Sequence, residues 1–109
     1  MKKELVAASA EPLILSLLAH GESYGYAIIQ TLRERSAEQI TWTDGMLYPV
    51  LHRMEDNGLI KARWEQGETG RKRKYYALTQ HGEKSLAHHR EQWMAVHSTL
   101  VGLWKGRYV

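Results

Sequence analysis

The sequence predicts a mainly α-helical fold with a two-stranded wing: a winged helix-turn-helix followed by a long C-terminal dimerisation helix. Three observations carry that expectation. Leu47, Val50, Leu51 and Met54 fall at i, i+3, i+4 and i+7, which puts all four on one face of a helix. Directly after that helix the apolar period drops to two, and a glycine-containing basic stretch, Gly67 to Lys74, interrupts the alternation. From Leu86 onward, apolar residues return at heptad spacing.

Taken in order, the first helix is expected over Leu13 to Ala19, behind Glu11 and Pro12 and stopped by His20 and Gly21. Its apolar run marks the centre of the core. Ser23 then opens a second helix through Arg35, in which Gly25, Ile28, Ile29 and Leu32 share a face. The short segment Gln39 to Trp42 is expected to pair with the wing sheet as an edge strand. Thr43 offers its side chain to the free amides of the third helix, and Gly58, able to adopt positive φ, ends that helix after Asn57. Pro49 donates no amide hydrogen and crowds the Gly45 carbonyl, so a bend or a late helix start is expected there.

Beyond Gly58, Ile60, Ala62 and Trp64 alternate with Lys61, Arg63 and Glu65, as in a strand with one buried face. Tyr75 to Leu78 supplies the second strand, and Gln66 to Lys74 the loop that projects between them. From Lys61 to Lys74 six basic residues stand against two acidic ones, a local balance of +4 in a chain of net charge +3. A compact cationic excess suits a polyphosphate, because each neutralised phosphate releases condensed counterions. A basic hairpin alone is often merely solvated. Beside a bounded helix it gains meaning, since a helix fits the major groove while a flanking arginine loop reaches phosphates or the minor groove.

Thr79 is the expected N-cap of the last helix. In it Leu86, Trp93 and Leu100 occupy one heptad position and Val96 and Leu103 the other, with His89 at the remaining place of the seam. Such a seam needs a partner: a second copy of the chain, or its own domain if the helix folds back. A two-fold dimer suits a pseudo-palindromic operator in double-stranded DNA, whose half-sites lie ~34 Å apart for two-fold readers. The chain accordingly divides into a DNA-binding domain, residues 1–79, and a C-terminal dimerisation helix, residues 80–109.

Composition narrows the alternatives. A chain of 109 residues buries roughly two-thirds of its extended surface, enough for one core. There is no cysteine, so neither a disulfide framework nor a thiolate metal site is expected. The longest apolar stretch is too short to span a bilayer and the start lacks a signal-peptide pattern, so a cytoplasmic location without membrane contact is expected. Of the histidines in the last helical region, only His89 and His97 come near one face, whereas zinc wants three or four converging ligands. Nucleophile elbows and phosphate loops are absent, and neither an enzyme nor a cofactor is expected.

The chain resembles the PadR family of transcriptional regulators over nearly its full length. The resemblance rests on Ser23 to Ile28 (Ser-Tyr-Gly-Tyr-Ala-Ile), Gly45 to Glu55 (Gly-Met-Leu-Tyr-Pro-Val-Leu-His-Arg-Met-Glu), Asn57 to Ile60, Gly70 to Thr79 and Gly82. It implies a dimeric winged helix-turn-helix joined through its C-terminal helix, usually a repressor released by a small effector. It implies a backbone contact for Tyr48, and contacts at the wing tip for Gly70, Arg71, Lys72, Arg73 and Lys74, with Thr43 and His52 as further DNA-binding candidates. Met46 departs from the pattern, standing where many relatives carry a small hydroxyl residue. Trp93, with Val96 and Leu100, is where multidrug-sensing relatives hold flat aromatic compounds, although a large aromatic at a seam position is more ordinarily packing. The competing function is a winged-helix interaction module without operator binding.

Overall fold

The computed structural model describes residues 1–106; the last three residues of the expected dimerisation segment lie outside the described residues. Four helices and three strands follow in the order α1 (Lys3–Leu18), β1 (Ser23–Tyr24), α2 (Gly25–Arg35), α3 (Asp44–Asp56), β2 (Ile60–Gln66), β3 (Lys72–Leu78) and α4 (Gln80–Lys105). One core joins them. Ile14, Leu15 and Leu18 of α1, Ile28 and Leu32 of α2, and Leu47, Leu51 and Met54 of α3 form it with Ile60, Tyr76 and Leu86. Helices α2 and α3 thereby bury the stripe that their periodicity defines, whereas α4 buries only its start, around Leu86.

The structure corrects several expectations. The first helix starts ten residues before Leu13, at Lys3, and carries Pro12 inside it. Proline there removes the bond the Ala8 carbonyl would accept and crowds that carbonyl, but the preceding alanines and leucine are strong helix formers and Ala10 and Ile14 on either side are buried. Ser23 and Tyr24 do not belong to α2; they form β1, which pairs antiparallel with β3 in a sheet of order β1-β3-β2. They occupy the sheet edge that Gln39 to Trp42 was expected to take. The Gln39 to Trp42 segment is irregular instead, and it plugs the core with Trp42. Among the described residues the Trp42 Nε1 is the one buried side-chain nitrogen or oxygen without a hydrogen-bond partner. Leaving it so costs about 1–3 kcal/mol, comparable to what burial of the large indole returns.

Pro49 causes no late start: α3 is helical from Asp44 through Asp56. The bond that Pro49 cannot donate is the one the Gly45 carbonyl would accept, in the first turn of the helix, and Leu47, Leu51 and Met54 are buried on either side of it. Thr43 occupies the N-cap position, yet its side chain makes no capping bond; its backbone carbonyl accepts from the amides of Met46 and Leu47 at 3.1 and 3.0 Å. Gly58, at φ +74°, ends the helix as expected.

The joint before α4 is tightly made. The Thr79 side chain accepts from the Gly82 amide at 3.0 Å and its hydroxyl donates to the Gly58 carbonyl at 2.6 Å. The Thr79 amide donates to the Leu59 carbonyl at 3.1 Å. Gly82 lies against that same peptide, so a β-carbon there would overlap the Leu59 carbonyl oxygen and reach within 3.0 Å of its carbon. Glycine is required by contact here, since in a free helix alanine is better by roughly 1 kcal/mol. Gly82→Ala is therefore expected to lose about 2–3 kcal/mol in urea unfolding. A gain in stability would show that α4 does not need this close approach.

Candidate nucleic-acid interface

The wing projects because β2 and β3 outrun the body. Their register pairs Ile60 with Leu78 at the root, Ala62 with Tyr76, Trp64 with Lys74, and Gln66 with Lys72 near the tip. Strand β3 thus begins at Lys72, not at Tyr75, and the loop shrinks to Gly67–Arg71. The Gly70 amide donates to the Gly67 carbonyl at 3.0 Å, and the Gly67 amide to the Arg71 carbonyl at 2.7 Å. Gly70 stands at φ +81°, the left-handed residue that a type I turn with a glycine bulge demands. Arg71 leaves this turn exposed, and Lys72 and Arg73 follow it on the exposed end of β3.

Strand alternation holds only near the body. Ile60 is buried and Ala62 half-buried, but Trp64 is 63% exposed. The expectation of a buried face for Trp64 fails because no helix lies behind the outer half of the hairpin. On the opposite sheet face Tyr24 and Tyr75 meet edge to face at 5.4 Å, Arg63 lies over Tyr75 at 4.9 Å and Arg73 over Tyr24 at 4.1 Å. Arg63 donates through Nε to Glu22 Oε2 at 3.0 Å and through Nη2 to Glu22 Oε1, and it reaches Glu65 at 3.2 Å. That fork raises the Arg63 pKa and holds the Glu22 carboxyl below its usual range, chiefly through the hydrogen bonds themselves.

Lys74 is also engaged. Its ammonium reaches Glu55 of α3 at 3.4 Å and lies 5.4 Å from the ring centre of Tyr76 and 5.8 Å from that of Trp64. Burial raises the Tyr76 hydroxyl pKa, so the ring stays neutral beneath the ammonium. Of the six basic residues counted in the sequence, Arg63 and Lys74 therefore brace the wing. No salt bridge within the described residues takes Lys61, Arg71, Lys72 or Arg73.

Wing and α3 enclose a cleft of about 1060 Å³. The structure brings Tyr48 and His52 of α3 together there with Arg71, Lys72, Arg73 and Lys74. Gly70 shapes the tip without lining the cleft, and Thr43 is exposed at the α3 N-terminus outside it. The sequence reading missed the aromatic walls: Tyr24, Tyr26 and Trp64 line the same space, with Tyr26 67% exposed. Tyr48, 45% exposed, is seated on α2: a β-carbon on Gly25 would overlap its hydroxyl and come within 2.9 Å of Cζ. The Ser-Tyr-Gly-Tyr motif of residues 23–26 thus supplies an edge strand, a seat for Tyr48 and a cleft wall in succession.

The seam residues divide. Leu86 belongs to the core of its own chain, and His89 Nε2 lies 2.8 Å from Glu11 Oε2 of α1. Trp93, 37% exposed, borders a groove of about 230 Å³ against Pro12 and Leu13, while Val96, Leu100 and Leu103 face water. Among the described residues no three histidine, aspartate or glutamate side chains gather as a metal cage, and no helix is long and apolar enough to cross a membrane.

A recognition helix with one face free, backed by a helix-turn and flanked by a basic hairpin, defines a winged-helix DNA-binding regulator. Residues 14–88 match the transcriptional regulator PadR-like family, and the chain belongs to it; it is a DNA-binding transcriptional regulator, not an enzyme. The fold is similar to that of a PadR-like transcriptional regulator from Bacillus cereus, with a TM-score of 0.84 at 28% identity over 96% of this chain and 100% of that one. It is similar to a transcriptional regulator from Clostridium thermocellum, with a TM-score of 0.82 at 31% identity over 92% and 94% of the two chains. The negative transcriptional regulator PadR of Bacillus subtilis is 30% identical over 96 residues, covering 88% of this chain but only 50% of that protein.

Gly25→Ala should push the Tyr48 ring from its seat while leaving the fold intact, because the clash falls on the far end of a partly exposed side chain. Duplex affinity is expected to fall roughly five- to tenfold, as for Tyr48→Ala, with the double variant no worse than either single one. Additive losses in filter-binding titrations would show that the two residues act separately.

Proposed function

We propose that the chain is a homodimeric repressor that grips a pseudo-palindromic DNA operator with the cleft between α3 and the wing, and that a small planar aromatic effector releases it. The observation that carries the DNA half is the position of Arg71, Lys72 and Arg73, clear of any internal salt bridge, on one rim of a cleft whose other wall is the exposed face of α3. In this reading α3 enters the major groove, Tyr48 donates to a phosphate oxygen, and His52 and Thr43 lie along the groove. Arg71 reaches the minor groove or its phosphates, with Gly70, Lys72, Arg73 and Lys74 shaping and charging the tip.

Dimerisation is supported by the free half of α4. The helix is 26 residues long, about 39 Å, and leaves the body after Trp93 with Val96, Leu100 and Leu103 uncovered. Pairing through that face divides the chain into a DNA-binding part, residues 1–79, and a dimerisation part, residues 80–109, with Leu86 and His89 rooting the seam in each body. An effector would lie between the two Trp93 indoles, with Val96 and Leu100 as its floor, where rings stack on a planar cation. The repressor sign is that of the Bacillus subtilis relative, a negative transcriptional regulator.

Binding to duplex measured against salt should give a steep negative log–log slope, reduced by about one unit in Arg71→Ala. A dimer in sedimentation is expected in the same buffer. A monomer that ignores duplexes in dilute buffer would overturn the reading in favour of an interaction module. For the effector, planar aromatic cations should quench tryptophan emission in the wild type and lose most of that effect in Trp93→Ala. Unchanged quenching in the variant would remove Trp93 from ligand binding and leave it as packing.

A further inference from the structure

The aromatic walls of the cleft carry no charge, and beyond lying under Arg73 and Lys74 they have no role in the ionic grip described above. Trp64 is the clearest case. A large apolar ring exposed at a single point is ordinary, but this one stands inside a concave cationic surface and is held there. Its cross-strand neighbour Lys74 runs beneath it and on to Glu55, so the indole is positioned relative to α3 as well as to the hairpin. Among the described residues the ring is left 63% exposed. Tyr26 presents a second exposed ring on the α2 side of the same space.

What a duplex offers such a ring is limited by its own structure. The bases are stacked on each other, so their faces are out of reach. The apolar surface left along the backbone is the deoxyribose, set between consecutive phosphates. We propose that Trp64 is a non-ionic DNA anchor, its indole packed on a deoxyribose of the strand whose phosphates the wing-tip cations hold. The proposal rests on the DNA-binding reading and adds a salt-independent contribution to it. Cations alone release counterions in proportion to the phosphates they neutralise, whereas an indole on a sugar releases none. The two contributions therefore separate in one titration.

Trp64→Ala, Trp64→Phe and Arg71→Ala should each be titrated with one operator-length duplex, and with the matching single strand, at several salt concentrations. Trp64→Ala is expected to weaken duplex binding about tenfold at every salt concentration with the slope unchanged, and Trp64→Phe to recover most of the loss. Thermal unfolding of Trp64→Ala should match the wild type, because the ring is largely outside the core. Wild-type binding combined with an unaffected Trp64→Ala would overturn this inference and leave the DNA reading standing. A slope reduced by one unit would overturn it as well, by showing that the substitution acts through a displaced cation. Loss confined to the single strand would replace sugar packing with stacking on unpaired bases. A wild type that binds neither nucleic acid would fail the parent reading and this one together.

Discussion

Helix α3 is held from one side only, and the rest of the molecule is arranged by that fact. Leu47, Leu51 and Met54 are fully buried, each such side chain contributing roughly 1.5–3 kcal/mol of transfer free energy. Those anchors fix the rotation of the helix about its axis. Tyr48 and His52 each follow an anchor by one residue, about 100° further round, and so they face outward together. The hairpin then needs only to stand beside α3 for a cleft to exist, and β2 starts four residues after the helix ends.

Charge is divided between the root and the tip of that hairpin. At the root, Arg63 holds Glu22 with two donors, and Lys74 joins β3 to Glu55 on α3. Exposed ion pairs of this kind contribute little to stability, typically under ~1 kcal/mol each, but a forked arginine fixes direction. At the tip, Arg71 and Lys72 are tethered by backbone geometry alone, through a turn that glycine makes possible. Rigid base and unpaired end suit a surface that must meet a polyanion whose contour it does not control.

Much of this was legible in the residues. The stripes of α2 and α3, the Gly58 stop, the Thr79 cap and the basic hairpin follow from spacing and side-chain chemistry that act within a few residues. What escaped depended on distant partners. Two residues of β1 carry too little period to announce a strand, and they pair only because β3 lies beside them. Trp64 lies on the same strand face as Ile60, and only the absence of a helix behind the wing tip separates the fate of the two side chains. The basic count from Lys61 to Lys74 gave no hint that Glu22, in the loop before β1, and Glu55 of α3 would occupy two of those cations. Pro12 looked like a helix start, whereas the alanine-rich turn before it was already helical.

Thr79 and Gly82 tie the first turn of α4 to Gly58 and Leu59, the residues that follow α3. Two rods thus share one rivet: the arm that would reach a second subunit and the one facing the cleft are fastened to the same peptide. Torque applied along the free length of α4 is delivered two to three residues from the α3 C-terminus, with no flexible linker to absorb it.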